Sequence, residues 1–147
     1  MSLTALDIWA VAPEIVVATM ACLVLVVDVY TRSLQPCALA YPLAIGTLIA
    51  GAAISLMGLY EAPQLALNGL VIRDGVADVL KTGTCLGVAA VLFYARDYAQ
   101  ERGLWRGEYL VLALFGVVGM MTMIGAAHLL TLYVGIELLA LCLSGMI

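Results

Sequence analysis

The sequence predicts an all-α fold: a polytopic bundle of about five membrane-spanning helices. Of the 147 residues, 65% are apolar, against about 45–50% in a soluble domain. Only 11% are charged, and the mean hydropathy is +1.15. The apolar residues come in runs of about 20, the length that carries a helix across the hydrocarbon core. A soluble chain this short has no core large enough to hide so much apolar surface. Its solvent is therefore largely lipid, and residues 1–147 read as one transmembrane domain.

The first span runs near Pro13–Tyr30, around EIVVATMACLVLVVDVY. Pro13 suits a first helical turn, where its missing N–H costs nothing. Glu14 beside it favours the positive end of the helix dipole, and Trp9 fits an interfacial belt. The start reads as mature protein, because MSLTALDIWAVAPEI has acids and no basic n-region. The second span runs near Leu39–Leu59, with Pro42 in its first turn. A more polar link follows, YEAPQLALNGLVIRDG, whose Pro63, Gly69 and Gly75 make it a poor spanning candidate. The third span runs near Val76–Ala95. The most charged stretch, RDYAQERGLWRGE, comes next. The fourth runs near Tyr109–Gly125 and the fifth over His128–Ile147. So short a connection predicts a tight antiparallel pair. Gly83 and Gly87 form a GxxxG on the third span, expected to pack helices within the chain.

Lys and Arg in short loops set orientation. Arg96, Arg102 and Arg106 follow the third span and Arg32 follows the first, which places both loops on one side. The expectation is a cytoplasmic Arg96–Arg106 loop and an outside N-terminus, in a bacterial inner membrane.

Several functions lack support in the residues. No basic patch interleaved with aromatics argues for nucleic acid. Cys22, Cys37, Cys85 and Cys142 are scattered and form no CxxC, so small apolar helix residues account for them better than metal ligands or disulfides. There is no GxGxxG before a helix, no P-loop, no GxSxG and no HExxH. No metal site and no cofactor site is expected.

Glu137 is the sharpest candidate for chemistry. It stands in the middle of HLLTLYVGIELLALCLSGMI, near the bilayer midplane if the helix is upright. A charged residue at a helix centre costs about 2.5–3.5 kcal/mol to insert. Such a group either exchanges protons or is bonded to a neighbouring helix, and the first role is the expectation. It should then face helices or a hydrated cavity. Glu108 begins the fourth span, where the helix dipole alone explains an acid. His128 begins the fifth and either relays protons or ends a tight turn. Asp78 and Lys81 stand at i, i+3 and are expected to form a structural ion pair; the alternatives are outward snorkelling of Lys81 or a place on a proton path.

The order APEI, RDGVADVLK, RDYAQERGLWRGEYLVLALFGVVGMM and LLTLYVGIELLAL resembles the subunit N family of bacterial NADH-quinone oxidoreductase, respiratory complex I. The resemblance spans essentially the whole chain and is strongest from Arg96 to Leu141. It implies an antiporter-like subunit built from inverted five-helix repeats, of which this chain supplies one incomplete repeat. It implies proton translocation coupled to quinone reduction, with NADH and quinone acting elsewhere in the complex. The implied partners are other membrane-arm subunits and the bilayer. Glu137 matches the family's key glutamate, whose usual partner is a lysine on a seventh helix. Glu108 matches an acidic position at the start of the fourth. Family members are much longer, so the expectation is an N-terminal fragment, an early stop or a split gene product. The rival expectations are a subunit of an Mrp-type cation/proton antiporter or membrane-bound hydrogenase, and a non-transporting membrane scaffold.

Overall fold

A computed structural model describes residues 5–31 and 38–147. Helix α1 (Ala5–Ala10) leads into α2 (Ala12–Thr31), followed by α3 (Ala40–Gly58). Two short strands, β1 (Gln64–Ala66) and β2 (Val71–Arg73), precede α4 (Gly75–Glu101), α5 (Gly107–Ile124) and α6 (Leu129–Met146). The five helices from α2 onward, α1 excluded, are long and apolar enough to cross a membrane. Each predicted span falls on one of them, except that α4 runs beyond the expected end at Ala95 to Glu101 and so takes in the first half of the charged stretch expected as a link. Pro13 and Pro42 both sit in first turns, as their missing N–H groups require.

The link between α3 and α4 is more ordered than expected. It forms an antiparallel hairpin in which Gln64 pairs with Arg73, Leu65 with Ile72 and Ala66 with Val71. Leu67, Asn68 and Gly69 turn the chain with φ of 52°, 56° and 82°. Asn-Gly is a strong short-range hairpin signal, because both residues tolerate positive φ. Two strands alone are marginal, and this pair gains support from the α5–α6 connection. Ile72 N–H donates to the Gly125 carbonyl at 2.8 Å, and Ala127 N–H donates to the Leu70 carbonyl at 3.1 Å.

The helices alternate in direction, so the bundle has two ends. The hairpin end gathers α1, the C-termini of α3 and α5, and the N-termini of α2, α4 and α6. At the opposite end Arg96 lies 4.8 Å from the Tyr41 ring centroid, and Tyr41 lies 5.4 Å from Trp105. Arg32 lies outside the described residues, so its place in the orientation argument has no structural counterpart here.

The core is a zipper of small and branched residues. Val17, Ala21 and Val24 of α2 meet Leu48 of α3 and Leu110, Leu114, Val117 and Met121 of α5. The close glycine contacts are not those of the GxxxG. Gly83 and Gly87 face open space, with nothing within 4 Å of a Cβ placed there. The expected packing role within the chain is therefore corrected. The close approach is Gly119 of α5 to Gly135 of α6, where a Cβ on Gly119 would sit 3.1 Å from the Gly135 carbonyl oxygen. The short connection forces those two helices together, and only missing side chains let the backbones approach so nearly. Outside this contact α6 is mostly open; its buried residues are Gly135 and Cys142.

Candidate functional site: a buried charge cluster and an open glutamate

Arg73 ends β2, and the next residue, Asp74, caps α4 by accepting a 2.7 Å hydrogen bond from Ala77 N–H. This rigid junction fixes where the first two turns of α4 point. Asp78 and Lys81 lie on the inward face, Lys81 against the first turn of α2, which carries Glu14, and Asp78 against Arg73. Lys81 is 0% exposed, Asp78 1%, Arg73 5% and Glu14 8%.

Lys81 Nζ stands 2.6 Å from Glu14 Oε1, a charge contact without the alignment of a hydrogen bond. Arg73 Nε donates to Asp78 Oδ2 at 3.4 Å. Its Nη1 donates to the Trp9 carbonyl and meets Glu61 Oε2, each at 3.1 Å. Lys81 also acts on Asp78 through space. A Cβ at Gly58 would overlap the Arg73 guanidinium, so α3 ends on glycine where the cluster needs room. Local i, i+3 spacing thus puts Asp78 and Lys81 on one face, but the expected ion pair between them is corrected: Lys81 pairs with Glu14 of α2 and Asp78 with Arg73 of the hairpin. Arg73 and Glu14 had no signal as site residues. Each sits at a helix or strand end where interfacial charges are ordinary, and their partners are distant in sequence.

Such a cluster is costly. Desolvating an ion pair in a low-dielectric interior offsets much of its Coulomb gain, and an apolar pair of equal volume is often as stable. Glu14 Oε2, Asp78 Oδ1 and Lys81 Nζ are buried without hydrogen-bond partners. Beside Glu14 lies a cavity of about 200 Å³ that also reaches Thr122 of α5 and Thr131 of α6.

The other candidates lie apart. Glu137 is at the middle of α6, on its exposed side, where Tyr133 one turn earlier interacts with it. The described bundle therefore does not enclose it as expected; α6 packs chiefly against α5, which leaves this side uncovered. His128 is the N-cap of α6, and its Nδ1 accepts from Leu130 N–H at 3.2 Å. The cap is what a turn-ending residue would make. Glu108 is exposed in the first turn of α5 and lines a cavity of about 350 Å³ with Arg106 and Gly145. The structure thus brings Asp78 and Lys81 together with Glu14 and Arg73, and leaves Glu137 and Glu108 outside that group. Among the described residues, no three His, Cys, Asp or Glu side chains cluster in a way that holds a metal ion.

No family model matches the chain. Similar proteins do. It is 47% identical over 92% of its length to the NADH-quinone oxidoreductase subunit N of Thiobacillus denitrificans, and 40% identical over 96% to that of Thioalkalivibrio sulfidiphilus. It is 35% identical over its full length to that of Laribacter hongkongensis. The chain spans about 28–30% of the length of these curated relatives. With a shared sequence of this extent and five helices of spanning length, the chain is a multi-pass membrane protein that belongs to the NADH-quinone oxidoreductase subunit N family and corresponds to a part of its members.

Proposed function

We propose that the chain is the N-terminal part of a proton-translocating membrane-arm subunit of NADH-quinone oxidoreductase. The observation that carries this reading is the 47% identity to a protein named as subunit N of that complex. The residues agree with it. Glu137 puts an ionisable group at mid-membrane, where it is costly unless it functions. Its open side on α6 fits a partner supplied by the remaining length that the relatives have, a basic residue on a further helix. On this reading NADH and quinone react elsewhere in the complex, and this chain moves protons without binding either. Its partners are the other membrane-arm subunits, its site is the bacterial inner membrane, and the end of α4 and the α4–α5 connection, which carry Arg96, Arg102 and Arg106, are cytoplasmic.

The test is proton pumping by the whole complex, reconstituted in liposomes with a full-length subunit carrying Glu137→Gln. The amide keeps the shape but neither holds a charge nor cycles a proton. Pumping is expected to fall by more than about tenfold, within the range typical of a lost acid–base group. Glu137→Asp is expected to retain more, because only the reach shortens. Normal pumping by an assembled Glu137→Gln complex would make the residue structural.

A further inference from the structure

We propose that Glu14 and Lys81 form a second proton-exchange site, at the hairpin end of the bundle, which takes its proton from water in the cavity beside Glu14. The proposal rests on the proton-transfer reading for its functional consequence, but its site is separate from Glu137.

The charge inventory supports it. The two neighbouring ion-pair groups, Glu14–Lys81 and Asp78–Arg73–Glu61, together hold three acids and two bases. One carboxylate is in excess. When Glu14 takes a proton, Asp78 still acts on Lys81 through space and Glu61 still pairs with Arg73. Lys81 then keeps a carboxylate acting on it through space, which lessens the cost of an uncompensated buried charge. A balanced cluster of two acids and two bases would not have that freedom.

The surroundings of Glu14 leave it as the group that moves. From α4 it faces Lys81, and its charge reaches Cys85. From α5 and α6 it shares the cavity with Thr122 and Thr131. Asp74 is engaged as the α4 cap and acts on Asp78. Lys81 lies near the C-terminal end of α5, its Nζ 3.4 Å from where a Cβ of Gly125 would be. That negative dipole end helps hold the ammonium while Glu14 is neutral.

The cavity of about 200 Å³ has room for several waters, at about 30 Å³ each. Glu14 supplies the carboxylate edge of that space, and its terminal torsion is soft. One oxygen can therefore keep Lys81 while the other turns to meet water. The step is a plain transfer. An O–H bond of a hydronium in the cavity breaks, an O–H bond on Glu14 forms, and neutral water is left. Release reverses it, and no electrons move between groups.

Two measurements test this. In the first, the whole complex is treated with dicyclohexylcarbodiimide, which adds to protonated carboxyls in apolar surroundings, and peptides are read by mass spectrometry. The Glu14 peptide is expected to gain label at acid pH and lose it as pH rises. Absence of label on Glu14 throughout the pH range overturns the proposal. In the second, the complex carries the neutral double change Glu14→Gln/Lys81→Met and is reconstituted. It is expected to pump about tenfold more slowly at parental levels of assembled complex. An assembled double variant that pumps at the parental rate makes the pair a clamp and also overturns the proposal. Should that variant fail to assemble, the labelling result alone decides, in either direction. Normal pumping by Glu137→Gln would instead count against the proton-transfer role of Glu137, and Glu14 labelling would be unaffected by it.

Discussion

Lys81 shows how much one buried residue depends on its partners. With 0% exposure and Glu14 at 2.6 Å, its ammonium has no water to fall back on. Lys81→Met alone is expected to destabilise the bundle by about 3–5 kcal/mol, because Glu14 is left charged and unpaired. Adding Glu14→Gln is expected to recover most of that loss. Unfolding of the purified chain in mild detergent, single against double variant, checks both statements. Gly58 gives a second case. A methyl there overlaps Arg73 and Asp78, so Gly58→Ala is expected to cost about 1–3 kcal/mol, although alanine favours a helix more than glycine does. The same unfolding assay reads it. Asp78 and Lys81 were visible in the sequence as charges facing one way, because helical spacing is local information. Glu14 and Arg73 were not, because their significance lies in contacts that only folding creates. Gly58 was equally silent: a glycine in a glycine-rich membrane chain says nothing of what passes over it.

At the scale of elements, the hairpin and the α5–α6 connection stabilise one another. Ile72→Pro removes the N–H that donates to the Gly125 carbonyl. Loss of that bond and distortion of the strand are expected to lower stability by about 1–3 kcal/mol. Faster amide exchange at Ala127 than in the parent protein would show that the effect passes to the connection. The glycines separate by environment in a similar way. Gly119→Ala places a methyl 3.1 Å from the α6 backbone and is expected to push α5 and α6 apart. Gly83→Ala and Gly87→Ala meet open space and are expected to stabilise the isolated chain by up to about 1 kcal/mol each, through helix propensity. Destabilisation by the α4 alanines would show that this face is covered within the chain after all. The sequence singled out the GxxxG by spacing, yet spacing does not say which face of a helix is covered. The hairpin, by contrast, had a legible signal in LALNGLVI: an Asn-Gly turn between apolar residues.

For the whole molecule, the paired ends of the bundle make orientation testable. With native cysteines replaced, single cysteines at Gln100 and Glu61 are expected to label from opposite sides of intact cells, Gln100 from the cytoplasm. Outer-face labelling of Gln100 would reverse the proposed topology. The existence, order and approximate limits of five spanning helices were determined by the sequence alone, because lipid demands long apolar runs and backbone hydrogen bonds force each run into a helix. The same is true of Glu137, conspicuous because a carboxylate in the middle of a largely apolar stretch carries its cost wherever the helix packs. Only the tertiary structure decided which charges meet. Glu14, Arg73, Asp78 and Lys81 come from three elements, and an ion pair forms where the chain brings side chains within a few ångströms, a distance that no linear spacing encodes. Burial of Lys81 and exposure of Glu137 follow from the same cause: one helix face is covered by α2 and the hairpin, and the other is left open.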